Sequence, residues 1–519
     1  MHGFPLLALL IAALAVSALA RRVGAAPPLV LVVVGLAVSF VPGVPDYALE
    51  PELILLLVLP PLLYSAALDS SVLGIKANLR PIGSLAIGLV LFTTLVVGFA
   101  AHALVPGLPL ASAFVLGAVV APPDAVAAIA VGRRLGLPRR VMTVLGGESL
   151  INDATALTAY RVAVATALGA GMSLLAGVGL FVLAAVGGVV VGLVIGWCVH
   201  RVRLWLADSL MESAVGLVVP FAAYLLAEQV GASGVLAVVV AGLYLGHRAP
   251  EGRFATRLQD HAVWNAADTV LESFVFALIG LQLRSVASDV DIPVASLVLA
   301  GVALVGVVVL ARAAWVFPTA YIRGALFSPA RRRESRVPWR YPAVVSWAGM
   351  RGVVSLAAAA ALPSEFAGRE IVLFLAFCVT VGTLLLHGLT LPLMIRVLRV
   401  PDRQAHEDAL AEASAQHAAA RAAVARLEEV TQDSTPQEIS GRLRAWAEHR
   451  SLGAWERLGR PAEENGESPT AMFRRLRREM LAAERGTFVR FRDEGRLDDE
   501  VLRRVLRELD LEEALLSRD

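Results

Sequence analysis

Residues 146–155 read Gly146-Gly147-Glu148-Ser149-Leu150-Ile151-Asn152-Asp153-Ala154-Thr155, inside an otherwise largely apolar run from 141 to 168. A run of that length crosses a bilayer as a helix, which takes about 20 apolar residues. An ionisable side chain in such a run is costly and marks either an ion pathway or a buried pair. Helical spacing stacks Glu148 with Asn152 and Ser149 with Asp153, giving two adjacent stripes. Two acids and two neutral polar groups within two turns do not face lipid. One stripe presents oxygen ligands to a cation, and the other needs a buried partner.

The rest of the chain agrees with a membrane setting. Of its 519 residues, 57% are apolar and 17% charged, and the mean hydropathy is +0.69. A soluble chain is nearer half apolar and about a quarter charged. Residues 1–400 hold long apolar runs, whereas 401–519 are dense in Arg and Glu, so the chain divides into a membrane domain and a soluble helical tail. About thirteen spans are expected, near 4–20, 28–42, 51–68, 83–103, 111–131, 141–168, 172–200, 212–227, 233–246, 265–282, 294–317, 342–362 and 370–397. The fold class is all-α and polytopic. Cys198 and Cys378 both lie in apolar runs, which excludes a disulfide framework and a metal cluster. A net charge of +2 gives no reason to expect nucleic acid.

Orientation follows from the loops. Ala18-Leu19-Ala20 resembles a signal-peptide cleavage site, but no basic residue precedes the apolar run and Arg21-Arg22 follow it. That order favours a retained first span with its N-terminus outside. Alternate loops then hold about nineteen Lys and Arg on one side, among them Lys76, Arg133, Arg139, Arg257 and Arg331, against Arg284 and Arg369 on the other. Such a bias places the basic loops and the tail in the cytoplasm.

Two further spans contain breaks. The fifth reads Ala121-Pro122-Pro123-Asp124, and a proline pair removes backbone donors inside a helix. Irregular backbone at membrane depth survives only when buried in protein or lining a wet cavity. Asp124 sits at that break; a simple kink with Asp124 capping the second half is the other reading, and both can hold. The twelfth reads Gly349-Met350-Arg351-Gly352, with Arg351 between two glycines that admit close backbone approach. A guanidinium fork suits a carboxylate and an amide oxygen. The sequence therefore suggests a structural Arg351–Glu148–Asn152 cluster, leaving Asp153 and Asp124 for the ion.

Taken in order, residues 121–126, 146–153, 274–283 and 347–356 resemble the bacterial sodium/proton antiporters of the cation:proton antiporter-1 class, the NhaP-like relatives of animal sodium/proton exchangers. The resemblance covers about residues 5–400. It implies thirteen spans in two inverted repeats, with the fifth and twelfth unwound and crossing near the midplane. It makes Asp153 the carrier of cation and proton, with Asp124 and the Ser149 hydroxyl completing a Na⁺ site and Asn152, Glu148 and Arg351 bracing it. Many relatives have Thr where this chain has Pro123, so only a backbone carbonyl contributes there. Some relatives place an acid after a segment like 59–63; here Tyr64-Ser65 follow, which implies one ligand fewer. A homodimer in the cell membrane, in contact with lipid and needing no cofactor, is also implied.

Burial favours the protonated form of a carboxyl and an adjacent cation favours the ionised form. Asp153 would therefore hold a proton or Na⁺ but not both, and exchange follows if only loaded states cross. Relatives with Asn-Asp at 152–153 exchange one cation for one proton without net charge, so Asn152 implies electroneutral transport.

Other polar residues have plainer readings. Glu272 beside Ser273 lines the pathway or, more readily, pairs with an arginine. Arg161 and Arg312 snorkel or pair structurally, His387 packs or senses pH, and Glu212 and Glu228 reach the interface. Gly231-Ala232-Ser233-Gly234 matches the Gly-x-Ser-Gly of rhomboid-type intramembrane proteases. A serine nucleophile needs a base within reach, and nothing places His387 beside it, so no enzyme is read. The tail has helix-forming stretches at 402–432, 438–460 and 468–512, and its Arg474–Arg478 region could touch anionic lipid.

Overall fold

The computed structural model describes residues 3–42, 44, 54–124, 126–168, 174–206, 208–288, 293–325, 338–363, 365–399, 403–431, 437–458, 469–494, 496–497 and 499–516. Arg331, Arg332, Arg333 and Arg336, four of the expected cytoplasmic cations, lie outside them. Every regular element among the described residues is helical. The chain forms two compact units, Met1–Pro401 and Asp402–Asp519.

The first unit contains α1 (Gly3–Arg22), α2 (Pro27–Ser39), α3 (Ile54–Leu68), α4 (Val72–Ala77), α5 (Leu79–Leu104), α6 (Leu110–Val120), α7 (Val126–Arg134) and α8 (Arg139–Ala167). It continues with α9 (Leu174–Leu206), α10 (Ser209–Gln229), α11 (Gly234–Arg248), α12 (Phe254–Leu281) and α13 (Leu283–Ser288). The last four are α14 (Val294–Ala325), α15 (Arg340–Trp347), α16 (Val353–Ala360) and α17 (Arg369–Leu398). Starts follow local chemistry. Asp208 and Ser233 cap α10 and α11 by accepting the Leu210 and Leu236 amides at 2.9 and 3.3 Å, satisfying donors that no helical carbonyl reaches. The protease-like Ser233 is thus a helix cap.

Seven described helices are long and apolar enough to cross a membrane, within α1, α5, α9, α10, α12, α14 and α17. Length and composition alone pick out fewer than the expected thirteen for physical reasons. The 29-residue α8 is long enough but carries Glu148, Asn152 and Asp153 in its middle. The fifth and twelfth runs are interrupted: helix stops at Val120 and resumes at Val126, and stops at Trp347 and resumes at Val353. The second run, α2, has 13 residues.

Glycines let several of these helices touch backbone to backbone. α2 lies on α12 where Gly35 meets Gly280. A Cβ on Gly280 would sit 2.6 Å from the Val32 carbonyl oxygen and 2.7 Å from the Gly35 Cα. α6 approaches α5 the same way, through Gly117 against the Thr94 carbonyl. Without a hydrophobic drive between helices in lipid, such close van der Waals contact is a main source of cohesion.

The second unit contains α18 (Arg403–Val430), α19 (Gln437–Leu458), α20 (Pro469–Asp493) and α21 (Asp499–Leu516). The expected single stretch 468–512 is two helices, the first ending at Asp493 and the second starting at Asp499. α20 packs on α21 through Leu481, Leu502 and Leu509. Arg477 forks onto Glu512 at 2.7 and 2.8 Å and holds that carboxyl below its ordinary range.

Gly280→Val forces side chain into backbone that cannot yield, and overpacking costs about 1–3 kcal/mol. Gly306, with nothing within 4 Å of a built Cβ, accepts alanine without loss. Thermal unfolding of the detergent-solubilised chain is expected to show a clear fall for the first and none for the second.

Candidate functional site

The breaks in the fifth and twelfth runs face each other. α6 ends at Val120, and the Asp124 amide that would otherwise reach the Val120 oxygen turns away to another partner, so the Val120 and Ala121 carbonyls are left without helical donors. Arg351 takes them: its Nε donates to the Val120 oxygen at 2.9 Å and Nη2 to the Ala121 oxygen at 3.3 Å. Its Nη1 donates to the Gly349 carbonyl. The Asp124 amide donates to the Met350 carbonyl at 2.7 Å, and the Arg351 amide to Thr383 Oγ1 at 3.1 Å. A helix C-terminus carries partial negative charge, which suits a buried cation. Arg351 is 1% exposed.

The expected Arg351–Glu148–Asn152 cluster is therefore replaced by two separate arrangements. Glu148 pairs with Arg312 of α14, whose Nη1 and Nη2 donate to its two oxygens at 2.5 and 2.8 Å. Arg312 Nε donates to the Val345 carbonyl at 3.0 Å, and both residues of the pair are 1% exposed. A planar fork fits one carboxylate, and the bare Gly349 lets Arg312 pass: a Cβ there would collide with Arg312 Cδ. Asn152 instead donates from Nδ2 to the Pro123 carbonyl at 2.8 Å, tying α8 to the break. The Pro123 carbonyl, expected as an ion ligand, is thus engaged by an amide.

Asp153, Asp124 and Ser149 line a cavity of about 650 Å³. It runs from exposed Asp69, Arg133 and Arg139 inward to Gly352 and Ser355. Asp124 accepts the Val126 amide on Oδ1 at 2.8 Å, so it does cap α7. Its Oδ2 lies where a Cβ on Gly352 would collide with it. Asp153, 7% exposed, has no hydrogen-bond or ion-pair partner among the described residues. Its neighbours in charge differ sharply from it: Glu148 is neutralised by Arg312, and Asp153 is not.

Asp268 also lines this cavity, and the sequence analysis missed it. Ser65 Oγ donates to its Oδ2 at 2.5 Å, and Oδ1 is buried without a hydrogen-bond partner among the described residues. The segment after 59–63 thus lacks its own acid but receives one from α12. The bond joins residues 203 apart in sequence, which no local pattern signals. Glu272, one turn on, lines the cavity and makes no ion pair among the described residues, contrary to the paired reading. Beside it Arg21 donates to Thr269 at 3.2 Å.

The lesser candidates resolve as structure. Arg161 Nη2 donates to both carboxylate oxygens of Glu228, at 3.0 and 2.8 Å. Glu212 is buried rather than interfacial, accepting from Thr256 at 2.5 Å. His387 is buried edge-on to Trp347, centroids 5.2 Å apart.

Interrupted helices that meet at a cavity are the architecture of secondary transporters. The transmembrane sodium/hydrogen exchanger family matches residues 7–397. An uncharacterized Na⁺/H⁺ exchanger of Mycobacterium tuberculosis is 35% identical over 99% of this chain and 96% of its own length. A sodium, potassium, lithium and rubidium/H⁺ antiporter of Bacillus subtilis is 30% identical over 71% of this chain and 57% of its own. The solved sodium proton antiporter of Methanocaldococcus jannaschii superposes with a TM-score of 0.59 at 19% identity, over 76% of this chain and 96% of that one. The chain belongs to the sodium/hydrogen exchanger family and is an integral membrane protein.

Removing one partner of a buried ion pair costs about 3–5 kcal/mol, whereas replacing both by apolar side chains is often neutral. Arg312→Met alone is expected to lower the yield and unfolding temperature of the folded chain. Arg312→Met with Glu148→Leu recovers most of that loss, as thermal unfolding in detergent will show.

Proposed function

We propose that the chain is a monovalent cation:proton antiporter, exchanging Na⁺ for H⁺ one for one by alternating access. The observation that carries this reading is Asp153: a buried carboxylate without a partner, at the wall of a deep cavity, beside a cation-compatible set of oxygens. Asp124 Oδ2 and the Ser149 hydroxyl complete the site, and either a proton or Na⁺ neutralises Asp153. Asn152, Arg351 and the Arg312–Glu148 pair hold the frame. Asn152 supports electroneutral exchange, since it leaves one titrating carboxylate where an acid pair would leave two.

The interrupted helices at 121–125 and 348–352 fit the unwound crossing pair of a thirteen-span fold built from inverted repeats. The exchanger works as a homodimer in the cell membrane, N-terminus outside, with residues 1–400 spanning the lipid and 401–519 in the cytoplasm. The cavity then faces the cytoplasm, because Arg21, Arg133 and Arg139 lie along it. Asp268 and Glu272 line the approach. Glu272 is within electrostatic range of both Asp268 and Asp124, so a cation moving inward passes from one carboxylate to the next. The Bacillus relative's name supports a cation range wider than Na⁺.

The test uses proteoliposomes with an imposed acid-inside gradient and a pH dye. Na⁺-dependent dequenching is expected in wild type and absent in Asp153→Asn; wild-type silence across pH 6 to 9 with folded protein rejects the reading. Asp268→Asn is expected to raise the half-maximal cation concentration about fivefold, the equivalent of about 1 kcal/mol, at little change in maximal rate. Ser65→Ala shifts it in the same direction by less.

A further inference from the structure

The tail contains a face that its own unit does not cover. α20 carries two apolar stripes. One, centred on Leu481, is buried against Leu502 and Leu509 of α21. The other runs along Met472, Leu476 and Met480, spaced i, i+4 and i+8, and is 44%, 49% and 55% exposed. Residues at that spacing share one side of a helix. A two-helix hairpin that buries so few side chains gains little from its own interior, and a solvent-facing stripe is where further burial is available.

Charge says what covers it. α20 has seven arginines against three acids, and α21 has three arginines against six acids. The hairpin is thus strongly dipolar across its width yet almost neutral in total. A near-neutral body gains little from an anionic bilayer, where attraction grows by about 1 kcal/mol per basic residue near the surface, and the acidic α21 opposes it. A dipolar body is self-complementary under two-fold rotation, which sets the basic helix of one copy beside the acidic helix of the other.

We propose that the α20–α21 hairpins of two copies of this chain pair about a two-fold axis along the Met472–Leu476–Met480 stripe, forming a four-helix bundle. Apolar stripes meet in the middle and opposite charges flank them, the arrangement that sets partner and orientation in paired helices. This pairing is independent of the exchange chemistry and of any contact between membrane units.

The test is disulfide trapping in the full-length chain in native membranes, with Cys198 and Cys378 replaced by Ser. Leu476→Cys, next to the proposed axis, is expected to give a covalent dimer under mild oxidation, and Ala482→Cys, off the stripe on the same helix, is not. Met472→Glu with Met480→Glu is expected to suppress the Leu476→Cys product at least tenfold without changing expression. Nitroxide labels at Leu476→Cys are expected within about 25 Å of each other, given interaxial spacings of about 10 Å. Equal trapping at both positions, trapping unaffected by the two glutamates, or longer label separations overturns the proposal. So does a disulfide within one chain to Leu443→Cys on α19, or burial of the Leu476 label in lipid.

Discussion

A helix interrupted inside an apolar layer leaves backbone groups that no water completes, and the rest of the membrane unit is arranged around that demand. Pro122 and Pro123 end α6 early; the opposite run breaks at Gly349 to Gly352. Each break answers the other. The Asp124 amide finds the Met350 carbonyl, and the Arg351 guanidinium finds Val120 and Ala121. Neither interruption would be tolerable alone, since each unsatisfied group in hydrocarbon costs several kcal/mol.

The allocation of charge follows. Once Arg351 is committed to carbonyls, Glu148 requires another cation, and Arg312 reaches it from α14 across a glycine. Asn152 is then free to bind the Pro123 carbonyl and fix α8 against the break. On that side of α8, Glu148 and the Asn152 amide nitrogen are engaged in structure. Asp153, one residue further round, is left over and lines the cavity. An unpaired buried carboxylate is costly, which is why the proposed exchange is centred on it.

Much of this was legible from residues 121–124, 146–155 and 349–352, because charge and proline inside apolar runs are conspicuous. Asp153 and Ser149 stood out by helical spacing inside an apolar run, Asp124 by the proline pair before it, and the resemblance joined the three; the structure brings them to one cavity. Partner choice was not legible. Arg351 reads as mid-span and Arg312 as nearer the end of its run, and only the three-dimensional placement of the α6 carbonyls decides which one meets Glu148. Asp268 was overlooked because it lies near the start of an apolar run, where an acid ordinarily means water, and its partner Ser65 is an unremarkable residue on a distant helix. The break between α20 and α21 was not legible because the charged stretch around it has the composition of a solvated helix.

The fork of Arg477 on Glu512 and the Arg485 contacts to Asp510 and Glu513, at 2.8 and 2.6 Å, are partly open to solvent. Ionic attraction of that kind reaches only about 8 Å at physiological ionic strength and about 3 Å at 1 M. Apolar contacts do not weaken in the same way. The hairpin is therefore held together by two forces, of which only one weakens with dissolved salt. Its charged edges loosen as electrolyte accumulates while its leucine seam does not, which gives the appendage of a cation carrier a stiffness that varies with the concentration of ions around it.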